Sequence, residues 1–110
     1  MARLTSDFWV SAFLRQAAHD GLVAVLRRRG ASEAGAIFVK LDRLDGSAVL
    51  YGPAPQALAD DDGERRFQRL IEADPLTVED RVAREVRFDA DLWLVEIENR
   101  AGDPRLVLVD

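Results

Sequence analysis

The chain has 110 residues, 48 % apolar and 32 % charged, the proportions of one globular domain able to bury a single core. Its net charge of −5 repels phosphate backbones and anionic lipid, so neither nucleic acid nor a membrane surface is expected as a partner. The lack of cysteine excludes disulfides, thiolate metal ligands and cysteine nucleophiles, and with no secretory-type leader or bilayer-length apolar run a cytoplasmic location is expected.

From the N-terminus, Thr5 or Ser6 is placed to cap a helix, and the spacing of Trp9, Phe13 and Ala17 carries it to about His19, where Asp20-Gly21 stops it. At about 100° per residue, Trp9, Phe13, Ala17, Val10 and Leu14 cover one side. Phe8 and Ala12 extend the apolar surface further than one sheet face would cover. Phe8, Val10 and Leu14 are therefore candidates for an interface with a protein partner or a second copy.

Leu22–Leu26 is a short apolar run entering Arg27-Arg28-Arg29-Gly30, which predicts a buried strand emerging into solvent. Ala36–Leu41 alternates, with Ile37, Val39 and Leu41 on one side and Phe38 and Lys40 on the other. Asp45-Gly46 suits a type I′ turn into Ala48–Tyr51, completing a hairpin.

Gly52–Gly63 holds two prolines and three consecutive aspartates and predicts a long loop. Tyr51 at its entrance, Gln56 within it, and Arg65 and Arg66 beyond it are the candidate ligand-binding residues, suited to a small anionic metabolite. Arg65–Ile71 predicts a strand. Thr77 begins a second helix, with Val78, Val82 and Val86 on one face, that ends near Phe88. Asp91–Glu98 alternates most clearly, with Trp93, Val95 and Ile97 inward and Glu96 and Glu98 outward. After the turn Ala101–Pro104, Leu106–Val109 is expected as a last strand beside it at a sheet edge. The predicted fold is a single α+β domain spanning residues 1–110. It has a mostly antiparallel sheet of about six strands with two main helices packed on it, in two layers.

The signals for chemistry are sparse. The only histidine, His19, sits at a helix end, where the macrodipole favours a cation, and no triad or multi-histidine site is available. Asp60–Asp62 with Glu64 lacks the 12-residue ligand spacing of a calcium loop, so no metal is expected. Glu96 and Glu98 lack the following lysine of an acid-x-acid-x-Lys nuclease centre, since Asn99 and Arg100 stand there. Arg27–Ser32 is similar to the phosphate-binding turn of acetyltransferases, yet a strand resumes at Ala36 where a helix is required. No catalytic residue and no cofactor is expected.

The strings TSDFWVSAFLR (residues 5–15), GAIFVKLD (35–42), YGPAPQ (51–56) and FDADLWLVEIE (88–98) resemble a small bacterial family, domain of unknown function 1491, over almost the whole chain. The resemblance implies a bacterial domain and brings no reaction, cofactor or catalytic residue with it. The residues themselves favour a non-enzymatic protein-binding or assembly domain. The alternative is a small-metabolite-binding domain or small enzyme that uses the Tyr51–Gln56 loop with Arg65 and Arg66.

Overall fold

The computed structural model describes residues 4–55 and 64–109. Helix α1 (Ser6–His19) begins where the Thr5 hydroxyl accepts from the Phe8 amide at 3.3 Å. The segment Ala31–Gly35 completes the cap: the Ser6 and Asp7 amides donate to the Glu33 and Ser32 carbonyls, and Ser6 Oγ donates to the Gly35 carbonyl at 2.6 Å. Strands β1 (Val23–Arg28), β2 (Ile37–Asp42), β3 (Ala48–Pro53) and β4 (Phe67–Ala73) follow, then α2 (Pro75–Phe88) and β5 (Trp93–Glu98). The second helix starts two residues earlier than Thr77, because Asp74 caps it and Pro75, with no amide hydrogen to leave unpaired, occupies the first turn.

The sheet runs in the order β1-β5-β2-β3-β4. Strands β2, β3 and β4 form an antiparallel meander, and α2 then carries the chain back so that β5 enters between β2 and β1. Strand β5 is parallel to β2 and antiparallel to β1. Between β2 and β3 the predicted two-residue turn gives way to a wider loop: the Arg43 amide donates to the Ser47 carbonyl, and Leu44 and Gly46 take φ of 61° and 89°.

The α+β class and the two sheet-packed helices stand, and two details differ. The strands number five among the described residues. Leu106–Val109 exchanges backbone hydrogen bonds with Phe67 at the start of β4, at 2.9 Å each way, because β1 and β2 already occupy both sides of β5. The layers number three, because the helices lie on opposite sheet faces. Ile37, Val39, Leu41, Val49, Tyr51, Trp93, Val95 and Ile97 pack with Val10, Phe13 and Ala17 of α1. Phe38, Ala48, Leu50 and Leu94 pack with Val78 and Val82 of α2. Alternation within each strand thus feeds two cores at once.

Candidate functional site

The α2 side of the sheet carries the unusual chemistry. Register sets Lys40 beside Glu96, and both point toward α2 between apolar neighbours. Lys40 is only 6 % exposed, and an ammonium so buried needs partners. Its Nζ meets Glu79 Oε2 of α2 at 2.6 Å and Glu96 Oε1 at 3.8 Å. Arg27 closes the group from β1. Its guanidinium grips Glu79 with two bonds of 2.7 and 2.8 Å and donates to Glu96 at 2.9 Å. An irregularity in β1 between Leu26 and Arg28 gives Arg27 this aim.

Two cations and two carboxylates therefore neutralise one another. Hydrogen bonds from Arg27, reinforced by Lys40, pull the Glu79 carboxyl down to about 2 against the opposing effect of burial, and Glu79 in turn raises the Arg27 value. A carboxylate held this way is a poor proton acceptor and a poor nucleophile. The group's work is mechanical: it fastens α2 to β1, β5 and β2.

Beyond that fastening the same face is open. Helix α2 lies over β3 and β4 and leaves β1 uncovered, so Val23 and Val25 are 56 % and 49 % exposed. Register places Val23, Glu98 and Asp42 in one row across β1, β5 and β2. Among the described residues neither Glu98 nor Asp42 has an ion-pair partner, although Asp42 accepts from the Leu44 amide at 2.8 Å. Strand β1 is also an outer strand, and among the described residues nothing pairs with its free side.

The residues singled out from the sequence are scattered. Tyr51 is buried in the α1-side core, and the shallow hollow of about 240 Å³ beside it is lined by Gln68, Arg69, Leu108 and Val109. Neither Arg65 nor Arg66 lines that hollow. Arg65 turns toward the start of α1, donating to the Leu4 carbonyl at 2.9 Å and to Ser6 Oγ at 3.2 Å, and Arg66 is half-buried ahead of β4. Gln56 and Asp60–Asp62 lie outside the described residues.

On α1 the interface reading needs correction. Val10 is sealed into the domain's own core, and Leu14 is half-buried against it. Trp9 stacks on Phe13 with centroids 5.1 Å apart and meets Phe67 at 5.3 Å, so β4 takes up part of the apolar arc. Of the three candidates only Phe8 stays exposed. In the turn after Arg29 the Ala31 and Gly35 amides are engaged within the fold, donating to the Asp91 and Ala31 carbonyls. Among the described residues no cluster of carboxylates and histidine is grouped to hold a metal, and no helix is long and apolar enough to cross a membrane.

Sequence reasoning missed the Arg27–Lys40–Glu79–Glu96 group and the open Val23–Val25 stripe. A signal for the first existed: the chain's only lysine stands inside the otherwise apolar run Ile37–Leu41. None existed for the second, because an apolar strand gives no sign of whether a helix will cover it.

Fold and surface together define a small helix-sheet-helix domain in which, among the described residues, the β1 edge is bare, the β4 edge is paired on its outer side only at Phe67, and the Arg27–Lys40–Glu79–Glu96 charges are committed to structure. The chain belongs to the family described as "Protein of unknown function (DUF1491)", whose sequence model matches residues 4–107. The solution structure of protein Atu0922 from A. tumefaciens is similar at 44 % identity and TM-score 0.83, covering 98 % of this chain and 96 % of that one. A crystal structure of a DUF1491 family protein from Caulobacter crescentus CB15 shares 32 % identity at TM-score 0.80, covering 97 % and 98 %. An NMR structure of a DUF1491 family protein from the same organism gives the same identity and score over the full length of both chains. No curated protein matches.

Proposed function

We propose that the chain is a non-enzymatic protein-binding domain that accepts an extended segment of a partner along β1. The observation that supports this is the free side of β1, where unpaired backbone groups adjoin the exposed stripe of Val23 and Val25. Such an edge is a ready template for strand addition: main-chain hydrogen bonds supply affinity, and alternate side chains supply selectivity. The reading gains weight from the charge group behind it. Arg27, Lys40, Glu79 and Glu96 hold one another, so the carboxylates of Glu79 and Glu96 are committed to the fold.

The test is a nuclear magnetic resonance titration of the full chain with short synthetic peptides alternating valine and arginine. Amide shifts and slowed exchange confined to Val23–Arg28, absent with a peptide carrying a central proline, are the expected result. Peptides that leave β1 silent would refute strand addition. A thermal shift with anionic metabolites that disappears in an Arg69→Ala variant would instead favour the small-ligand alternative at the Tyr51 hollow.

A further inference from the structure

We infer that Arg105–Val109 is a strap that opens as a unit while the rest of the domain stays folded. It lies at the opposite edge of the sheet from β1 and works whether or not β1 accepts a partner. The root of the strap is fixed. Pro104 is buried, Asn99 Nδ2 donates to the Asp103 carbonyl at 2.9 Å, and the Gly102 amide donates to the Asn99 carbonyl at 3.0 Å. Beyond Pro104 the hold among the described residues is slight. Phe67 and the strap exchange two backbone hydrogen bonds of 2.9 Å, and Leu106 packs half-buried against the α1-side core. Arg105 Nη1 donates to Asp20 Oδ2 at 2.6 Å, at the partly exposed end of α1. Val107 and Leu108 stay exposed.

Two features work against that hold. Arg105 takes φ of 62°, a left-handed conformation that crowds Cβ against the following carbonyl and that a side chain this long adopts at a cost. Space also remains on both sides of the strap. A cleft of about 50 Å³ separates Arg105 from Phe13, Gln16, Ala17 and Asp20 of the α1 end. The hollow of about 240 Å³ separates Leu108 and Val109 from Tyr51, Gln68 and Arg69. Unfilled space forfeits the dispersion contacts that would otherwise fasten a segment. Release frees Arg105 from its strained conformation, and water replaces the partly exposed Arg105–Asp20 pair at little cost.

Opening takes Leu106 out of the cluster that holds Trp9, Tyr51 and Phe67, and it bares the outer side of β4 at Phe67. Trp9 lies 5.3 Å from Phe67, so α1 and β4 meet there, and the spaces on the two sides of Leu106 become one trough along that junction. The strap is thus a gate over an aromatic face that the closed chain keeps from water. A pocket of this kind exists in a minor open state and is absent from the closed one.

Hydrogen exchange on the full chain, followed residue by residue by nuclear magnetic resonance, tests this. The Phe67 amide donates to the Val107 carbonyl of the strap, whereas the Trp93 amide donates to the Ala36 carbonyl at 2.8 Å beside β2. In wild type the Phe67 amide should exchange about a hundredfold faster than that of Trp93, or more, because it needs only local opening. Small additions of urea should speed Trp93 and leave Phe67 unchanged, since the open strap exposes little new surface. Leu106→Ser, which removes the apolar anchor, should leave Phe67 unprotected and Trp93 still protected. Phe67 and Trp93 amides that share one rate and one urea dependence would overturn the inference. So would fast exchange confined to Val109, which marks no more than a fraying end, and so would a Leu106→Ser chain that loses protection at Trp93 together with Phe67.

Discussion

Trp93 is the residue whose removal should cost most, and its surroundings allow the cost to be apportioned. It is 1 % exposed in the middle of the α1-side core, with Val95 and Ile97 on the same strand face. Its indole Nε1 donates to the Ala31 carbonyl at 2.7 Å, and the exposed Arg29 guanidinium lies 5.2 Å from its ring centroid. Truncation to alanine in a rigid core costs about 3 to 5 kcal/mol. That is a large share of the roughly 5 to 15 kcal/mol that holds such a domain together. Trp93→Phe keeps most of the ring and loses the donor; the Ala31 carbonyl retains the Gly35 amide at 3.2 Å, and the lost bond together with the smaller ring costs about 1 to 3 kcal/mol. Arg29→Ala should remove only about 0.5 to 1 kcal/mol, because the cation is largely in water. Urea unfolding followed by circular dichroism should therefore rank the variants Trp93→Ala, Trp93→Phe, Arg29→Ala in decreasing loss with unchanged slope. A Trp93→Ala loss below about 2 kcal/mol would refute this account, since no residue so enclosed should be so cheap to delete. So would red-shifted, readily quenched Trp93 emission in a Trp9→Phe background.

Glu79 sets the acid limb of stability. Its carboxyl lies at about 2 in the fold against an ordinary 4.5, so on acidification the unfolded chain takes up its proton first. The stabilisation is complete above about pH 5 and is lost as pH falls toward 2. Glu79→Gln should accordingly be less stable than wild type at neutral pH, with the gap narrowing steadily in urea titrations below about pH 5; a constant gap would exclude the carboxylate as its source. Gly30 lies where a methyl group would collide with the Asp91 carbonyl and approach the Trp93 ring to 2.6 Å, so Gly30→Ala should give little folded protein on expression. A Gly30→Ala variant as soluble and stable as wild type would contradict that packing. Asp74 caps α2 through the Thr77 amide at 3.1 Å and the Thr77 hydroxyl at 2.6 Å, and Asp74→Ala should lower the midpoint of thermal unfolding at pH 7. The loss should shrink in acid, because these bonds hold the Asp74 carboxyl below its usual value.

Much of the local structure was already written along the chain. Helix α1 ends where Asp20-Gly21 says it should, and Trp93, Val95 and Ile97 face inward as their alternation demands. Periodicities of 3.6 and 2 residues survive tertiary context because they state which side chains must leave water together. The second helical layer was legible too, though only by a different reading. Ile37–Leu41 and Ala48–Tyr51 are apolar on both faces, as strands covered from both sides must be, and Lys40 is tolerated there only because it arrives with Glu79 and Glu96.

The candidate site was not legible, because it depends on strand order and on which half of a face a helix covers. Val23 and Val25 read as core residues until β1 proves to be an outer strand whose first half α2 does not cover. Val10 and Leu14 read as surplus apolar surface until the rotation of α1 turns them inward and leaves Phe8 outside. Arg27 and Glu79 stand 52 positions apart, and only the return of the chain through α2 sets them 2.7 Å from each other. Side-chain periodicity is a local property, settled within a few residues. Strand order depends on pairings between residues far apart in the chain: with β5 lying between β1 and β2, Leu106–Val109 pairs with the start of β4, and β1 keeps its outer side bare among the described residues.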